Sequence, residues 1–154
     1  MSDINPLDGI ALIRTMIVHI AHVQNGLHTV ASELQRRARV HDLSKLGTEE
    51  FDGFTRINRA ARENPYGSPE YRAGLRQEKP TIDLHYSRNS HHPEHHEIGH
   101  ESGLEPCAPG MGWLDIIEMV CDWRGAYLCY GSQGTWEENI RRQRERYDGW
   151  FTEG

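Results

Sequence analysis

An adjacent histidine and aspartate, His41 and Asp42, are the residues of this chain best suited to chemistry; they lie in the segment RVHDLSK at residues 39–45. Neighbouring imidazole and carboxylate groups offer a nitrogen and an oxygen ligand to one cation. On its own, the pair is equally consistent with a helix N-terminus at which Asp42 caps backbone amides. Other ligand-type side chains elsewhere in the chain favour a metal site.

Two of these side chains lie in segments with helical patterns. His19 has His22 one helical turn later, and Asp122 lies within an apolar helix. A carboxylate directed into an apolar surface is costly unless it is compensated, and a metal ion would compensate it. A mixed shell of imidazole and carboxylate suits Mn, Fe, Co, Ni or Zn rather than Mg or Ca alone. The predicted ligands of a first ion are His19, His41, Asp42 and Asp122.

Histidine is unusually abundant, with ten residues in 154, and five of them fall within residues 91–100. Such a tract is typical of metal binding. His91 and His92, with His85 before them, would hold a second ion, and two cations can clamp a phosphate group between them. Lys45 lies one turn after His41 and would reach a phosphoryl oxygen. The cofactor prediction is therefore one or two divalent transition-metal ions.

The elements that position these residues are predicted to be helices. The first is amphipathic, with an apolar stripe that should face a core, and Asn25-Gly26 is expected to kink or break it. The stripe consists of Ile10, Ile13, Ile17, Ile20, Val23, Leu27, Val30 and Leu34.

Signals for helix ends divide the rest of the chain. Thr48 is a predicted N-cap, Ser68-Pro69 opens a helix that runs to about Glu78, and Pro80 opens another. A helix is expected from Trp113 to about Tyr130, and Thr135 with Glu138 forms a capping box for the last one. Asp115, Glu118 and Asp122 share one face of the helix that begins at Trp113. No strand-like alternation occurs, so residues 1–154 are predicted to form one all-α domain.

Composition excludes several classes of partner. The net charge of −6 argues against duplex nucleic acid as the main ligand. Three cysteines without Cys-x-x-Cys spacing indicate a reduced, intracellular protein. We find neither a signal-peptide pattern nor an apolar run approaching about 20 residues, so a cytoplasmic location without membrane contact is expected. A homo-oligomer stays open, because Trp136, Trp150 and Phe151 would serve a dimer contact as readily as the core.

The order H…HDxxK…HH…D resembles the HD superfamily of metal-dependent phosphohydrolases. His41 to Lys45 is similar to the HDxxK motif of its cyclic-dinucleotide phosphodiesterase branch, His91-His92 to that branch's metal-binding pair, and IIEMVCDWR at residues 116–124 to its last motif. The resemblance implies an HD-domain-like helical bundle with a metal site in its central cavity. The glycine-tyrosine-proline signature of the branch is absent, so specificity for cyclic dinucleotides is not implied.

A nearer resemblance is to small bacteriophage-encoded HD-like proteins without a settled function. The shared motifs are HIxxVQ from His19, HDxSK from His41, HxxxNxHHPEH from His85 and EMxxDW from Glu118. They span about two thirds of the chain. Because His19 begins the first motif, it is preferred to His22 as a ligand.

The expected activity is hydrolysis of a small phosphate ester, a nucleotide above all, through a metal-activated water. Asp42, Lys45 and Glu94 are the predicted catalytic residues, and substrate would be bound by Lys45, Arg88, Asn89 and Arg124. Arg88 and Arg124 are equally consistent with surface cations. The scarcity of apolar pocket candidates near the histidine tract favours hydrolysis. Two alternatives stay open: an HD-type di-iron oxygenase, and a non-catalytic phage binding module that the metal stabilises.

Overall fold

The computed structural model describes residues 5–65, 67–97, 110–130 and 134–147. These residues form helices joined by turns and short connections, and the described part contains no strand, which confirms the all-helical prediction. Two short 3-10 helices span Leu43–Leu46 and Pro93–Glu97. The α-helices are α1 (Pro6–Val40), α2 (Phe51–Glu63), α3 (Pro69–Gln77), α4 (Lys79–Arg88), α5 (Trp113–Cys129) and α6 (Trp136–Arg146).

Several predicted helix starts are confirmed in atomic detail. The Ser68 side chain accepts a hydrogen bond from the Tyr71 amide at 3.1 Å and thereby caps α3. The capping box of α6 is formed in both directions, by Glu138 N to Thr135 Oγ1 at 3.2 Å and Thr135 N to Glu138 Oε2 at 2.8 Å. Satisfying these free amides fixes where each helix begins.

The prediction of Thr48 as the N-cap of α2 is wrong. The helix begins at Phe51, its N-cap is Glu50, and the Glu50 side chain makes no capping hydrogen bond. The reason is tertiary, because the Glu50 carboxylate is fully buried and bonded to residues of other segments.

The chain divides into two units, Met1–Val40 and His41–Gly154. In the first unit α1 is a continuous helix of 35 residues, so the predicted break at Asn25-Gly26 is wrong. An interior glycine costs a helix only about 1 kcal/mol, which is too little to end one of this length. Every residue at positions 10–32 is exposed, including Ile17 and Leu27, so the stripe expected to face a core is open to solvent.

The stretch Pro6–Leu46 is also the one helical stretch in the described residues that is long and apolar enough to cross a membrane, judged by length and composition. Core helices of soluble proteins and signal sequences meet the same criterion, so this is a weak indication. The expectation of no membrane contact stays a prediction.

In the second unit, two glycines allow helices to approach closely. A Cβ atom on Gly53 of α2 would collide with the side chain of Thr81 on α4, and one on Gly74 of α3 would lie 2.9 Å from the Ala60 Cβ on α2. At the other end of the unit, the ring of Tyr147 stacks on Trp123 of α5, with centroids 5.8 Å apart.

The interior of the second unit is unusually polar. Among the described residues, the buried apolar side chains are Met119, Tyr147 and Pro93, whereas the buried polar ones are Glu50, His85, His91 and Asp115. Buried charged and imidazole groups are costly unless they are paired or bind a metal. Three of these buried polar residues, Glu50, His85 and His91, lie in one cluster of histidines and acidic residues, which is the candidate site.

Candidate metal centre

The predicted His-Asp pair lies in the turn just after α1. Asp42 has φ 57° and ψ 8°, and it is the one non-glycine residue with a positive φ in the described part of the chain. Aspartate and asparagine tolerate this left-handed conformation better than other residues do. The Asp42 side chain makes no capping hydrogen bond. It lies instead among histidines, so the capping interpretation of the pair is wrong.

The strongest geometric feature is the orientation of His85 on α4. Its Nδ1 lies 2.8 Å from Glu50 Oε2, and its Nε2 lies 3.1 Å from both Asp42 Oδ1 and His92 Nε2. Burial raises the pKa of Glu50, but hydrogen bonds from His85 and Ser44 outweigh it and lower the pKa. An ionised Glu50 accepts the Nδ1 proton, which leaves the Nε2 lone pair directed at the cluster. This is how carboxylates prepare metal-binding histidines.

Asp42 provides oxygen at the centre of the cluster. Burial raises the pKa of Asp42, but the adjacent His85 imidazole and the charge of Lys45 outweigh it and lower the pKa, so the carboxyl is ionised. Lys45 Nζ lies 2.5 Å from Oδ2. Oδ1 is buried and accepts no hydrogen bond of adequate geometry, and His91 Nε2, 3.6 Å away, is likewise buried without a partner. Two such orphaned ligand atoms, facing each other, fit a metal ion between them.

The paired histidines follow the end of α4 and are held in neutral form. The rings of His91 and His92 have centroids 4.1 Å apart, and that of His91 lies 4.5 Å from His41. Burial, with the neighbouring imidazoles His91 and His85, lowers the pKa of His92 to about 3. Burial also lowers the pKa of His91. A neutral imidazole is the form that ligates a metal.

His41 connects this cluster to α5. Its Nδ1 lies 3.0 Å from Glu118 Oε1, and its Nε2 lies 3.4 Å from Asp122 Oδ1. The helical spacing of four residues places both carboxylates on one face of α5. The hydrogen bond with Asp122 raises the pKa of His41 to about 9, against the opposing effect of burial and with a further contribution from Glu118.

Three sets of side chains have ligand atoms within 4.8 Å of one another. His41, Asp42 and His91 each belong to two sets, so the three sets adjoin. The donors are nitrogen and oxygen atoms, as transition metals prefer. The sets are Asp42 with His85, His91 and His92; His41 with Asp42 and Asp122; and His41 with His91 and Glu118.

Six of the seven predicted metal ligands therefore come together. The seventh, His19, lies in the α1 unit, is exposed, and belongs to none of these sets. Its role as a ligand stays a prediction. The six are His41, Asp42, His85, His91, His92 and Asp122.

The predicted substrate-binding residues near the cluster make mostly supporting contacts. Arg88 donates to Glu49 at 2.6 Å and to Glu50 at 3.2 Å. Asn89 Nδ2 lies within hydrogen-bond distance of Ser44 Oγ, at 3.2 Å, and of the His85 carbonyl, at 2.8 Å. These contacts hold the Glu50–His85 pair in place.

Glu94 and Arg124 lie in other surroundings. Glu94 Oε1 accepts hydrogen bonds from Tyr147 at 3.2 Å and Arg146 at 3.3 Å, while its Oε2 is buried without a partner. The Arg124 guanidinium lies 5.0 Å from the Trp136 ring centroid, in a cation–π contact. Roles in catalysis and substrate binding stay predictions for both residues.

The other histidines of the tract that the structure describes contact backbone carbonyl groups. His95 Nδ1 lies 2.8 Å from the Tyr86 carbonyl, and His96 Nε2 lies 2.9 Å from the Ser90 carbonyl. His100 and the connection from Glu101 to Pro109 are outside the described residues. The 3-10 helix Pro93–Glu97 thus follows the ligand pair as a fixed turn.

Sequence reasoning missed two acidic residues of the site. Glu50 resembles an ordinary helix N-terminal glutamate, and nothing in its sequence neighbourhood indicates burial. Glu118 did carry a signal, because it shares a helix face with Asp122. Asp115 shares that face too, but it accepts hydrogen bonds from Ser90 Oγ at 2.7 Å and from the Gly112 amide at 2.9 Å, and so caps α5.

A partly open cavity whose wall is aromatic and aliphatic with several polar groups lies beside the site, contrary to the expected scarcity of such pockets. Its volume is about 680 Å³, and Lys45 and Phe54 are among its lining residues. The geometry of the metal ligands, rather than a lack of apolar pockets, is therefore the basis for the choice of chemistry.

Comparison with known proteins identifies the family and nothing further. No curated protein and no solved structure matches the chain. A family model described as "Family of unknown function (DUF5662)" matches residues 10–152, almost the whole chain. The chain therefore belongs to the DUF5662 family, whose function is unknown.

Proposed function

We propose that this protein is an HD-type, metal-dependent phosphohydrolase or phosphodiesterase acting on a small phosphate ester, with a nucleotide as the leading candidate. The observation that carries the proposal is the position of Asp42, which belongs at once to the set with His41 and Asp122 and to the set with His85, His91 and His92. Two adjoining ligand sets that share a carboxylate are suited to a pair of ions that clamp one phosphate.

The donors favour divalent Mn, Fe, Co, Ni or Zn. Asp42 Oδ1 and His91 Nε2, both buried without hydrogen-bond partners, are the atoms that most require an ion. Such ions would neutralise charge on the phosphoryl oxygens and lower the pKa of a bound water toward neutrality.

The chain's own residues contribute position and charge. Lys45 holds Asp42 Oδ2 at 2.5 Å, and its side chain is 31% exposed, so the ammonium group is accessible to a phosphoryl oxygen. Glu50 fixes the tautomer of His85. Glu94, with one carboxylate oxygen that accepts no hydrogen bond, is the proposed proton acceptor or water-orienting group.

We propose that the fold is an HD-like bundle, and the order of the ligands along the chain supports this assignment. His41-Asp42 precedes the histidine pair, and Asp122 follows on an apolar helix, as in the superfamily that the sequence resembles. We also propose a reduced, cytoplasmic setting and a ligand that is not duplex nucleic acid. A homo-oligomer stays open.

The test combines metal analysis with a hydrolysis screen. Protein stripped with a chelator and reloaded with Mn, Co or Ni should release phosphate from nucleotides or an aryl phosphate. Asp42→Ala should lose metal and activity together. Hydrolysis at full rate by Asp42→Ala would overturn the proposal, as would a purified protein that binds none of these metals.

A di-iron oxygenase is the second candidate, and the donor set is the reason. Three histidines with Asp42 form a ligand set rich in imidazole, which also suits iron. Two irons per chain and oxygen consumption without phosphate release would favour this candidate. Bound metal with neither activity would favour the third alternative, a binding module that the metal stabilises.

A further inference from the structure

The cavity of about 680 Å³ lies among the helices of the second unit. Its size falls in the range of pockets that hold small organic ligands, about 300–1,000 Å³. Side chains from α2, α3 and the end of α5 form most of its wall. The principal ones are Phe51, Phe54, Ile57, Tyr71, Ala126 and Tyr130.

Lys45 joins the cavity to the metal centre. The same ammonium group that pairs with Asp42 lies 4.9 Å from the ring centroid of Phe54, and both Lys45 and Phe54 line the cavity. Phe54 also contacts the site, because its ring meets His85 edge-on with centroids 5.0 Å apart. A molecule with its phosphate at the metal centre and its ring in the cavity would therefore contact the Lys45 side chain.

The lining also selects the charge of its occupant. Lys45 is the one charged residue among the lining residues that the structure describes, and no carboxylate lies among them. Thr55, Asn58 and Asn64 add neutral polar groups, and the rest of the wall is aromatic or aliphatic. Aromatic side chains favour flat rings, which can stack on them or meet them edge-on.

We propose that this cavity is the specificity pocket of the enzyme and that it holds a flat, uncharged aromatic ring joined to the phosphate of the substrate. The inference rests on the proposed function and makes it more specific. The substrate class is an anionic phosphate ester with an aromatic ring of up to nucleobase size, rather than a sugar phosphate or a polyphosphate without a ring.

The test measures binding with phosphonates, which are not hydrolysed. Calorimetry on the manganese-loaded protein would compare 1-naphthylmethylphosphonate with methylphosphonate. Burial of the ring should make the naphthyl compound bind about 30-fold more tightly. Ala126→Phe fills the cavity and should reduce that ratio to about threefold or less, with metal content unchanged.

A matched control lies on the same helix. Leu128 is exposed and is not among the lining residues, so Leu128→Phe should leave the ratio unchanged. If Ala126→Phe loses its metal, Tyr130→Ala decides instead, because Tyr130 lines the cavity but is 63% exposed and so is tolerant of truncation. It should reduce the ratio about threefold.

Equal affinity of the wild-type protein for the two phosphonates would overturn the inference, as would an unchanged ratio in Ala126→Phe with its metal retained. A ring preference without phosphate release from 1-naphthyl phosphate would support the pocket and count against hydrolysis. If the protein released phosphate from both naphthyl and methyl phosphate but bound the two phosphonates with equal affinity, hydrolysis would be supported and the pocket overturned.

Discussion

Glu50 and His85 form a hydrogen bond of 2.8 Å between Oε2 and Nδ1, and both side chains are completely enclosed, at 0% and 1% exposure. This bond decides which nitrogen of His85 faces Asp42 and His92. Glu50→Gln should weaken metal binding about 10- to 100-fold, because an amide can donate to Nδ1 and so stabilise the tautomer with Nε2 protonated. Competition with a metal-sensitive chelator would measure the change.

The neighbouring Glu49 provides the control for this change. It also pairs with Arg88, at 2.6 Å, but its side chain is 65% exposed. Glu49→Gln should leave metal affinity within about twofold of the wild type, since exposed ion pairs contribute little. A Glu50→Gln protein that also binds metal within twofold of wild type would show that His85 does not need its carboxylate partner.

Asp42→Asn should separate charge from backbone conformation. Asparagine adopts the left-handed conformation of Asp42, φ 57°, as readily as aspartate does, so the turn and the helical content should persist. The anionic oxygen shared by two ligand sets is lost, however, and metal affinity should fall on the order of 100-fold. Circular dichroism and elemental analysis would measure the two effects. Stoichiometric metal in Asp42→Asn would contradict the central place given to this carboxylate.

Gly53→Ala should destabilise the second unit. The new Cβ would collide with Thr81, so α2 and α4 would have to separate, at a cost of about 1–3 kcal/mol. Gly125→Ala is the matched control, because its Cβ on α5 would meet nothing within 4 Å. It should stabilise the protein by about 0.5–1 kcal/mol through helix propensity. Thermal unfolding should therefore show opposite signs for the two variants.

Metal binding should release one proton near neutral pH. In the metal-free protein the pKa of His41 is raised to about 9 by its hydrogen bond with Asp122, with Glu118 adding to the effect against burial, so the ring is protonated at pH 7. Asp42 is already ionised and His92, with a pKa of about 3, is already neutral. A metal must displace the His41 proton, so affinity should rise about tenfold per pH unit from pH 6.5 to 8.5.

Calorimetry in two buffers of different ionisation enthalpy would count the protons released. His41→Gln removes the titrating group, so its weaker metal binding should show a much flatter dependence on pH. A wild-type affinity that does not change over this range would mean that His41 is not displaced from its carboxylate partners.

The helices were predictable because their signals are local. Ser68-Pro69 and the Thr135–Glu138 box act over three or four residues, and the structure contains both caps. Local rules fail where tertiary contacts compete with them. Glu50 takes the N-cap position without capping, because its carboxylate is bound to His85. The predicted break in α1 fails for a different reason, because one glycine is a small cost in a helix of 35 residues.

The candidate ligands could also be predicted from the sequence, by residue type and order along the chain. The sequence predicts that His41, Asp42, the His91-His92 pair and Asp122 lie together, and each of them belongs to at least one of the three ligand sets. The sequence by itself determined the helical class, the starts of α3 and α6 and the chemical identity of these donors. Only the tertiary structure decided that Glu50 orients His85 and that Glu118 joins His41, because these contacts join residues 35 and 77 positions apart. The cavity beside Lys45 likewise depends on how the helices pack.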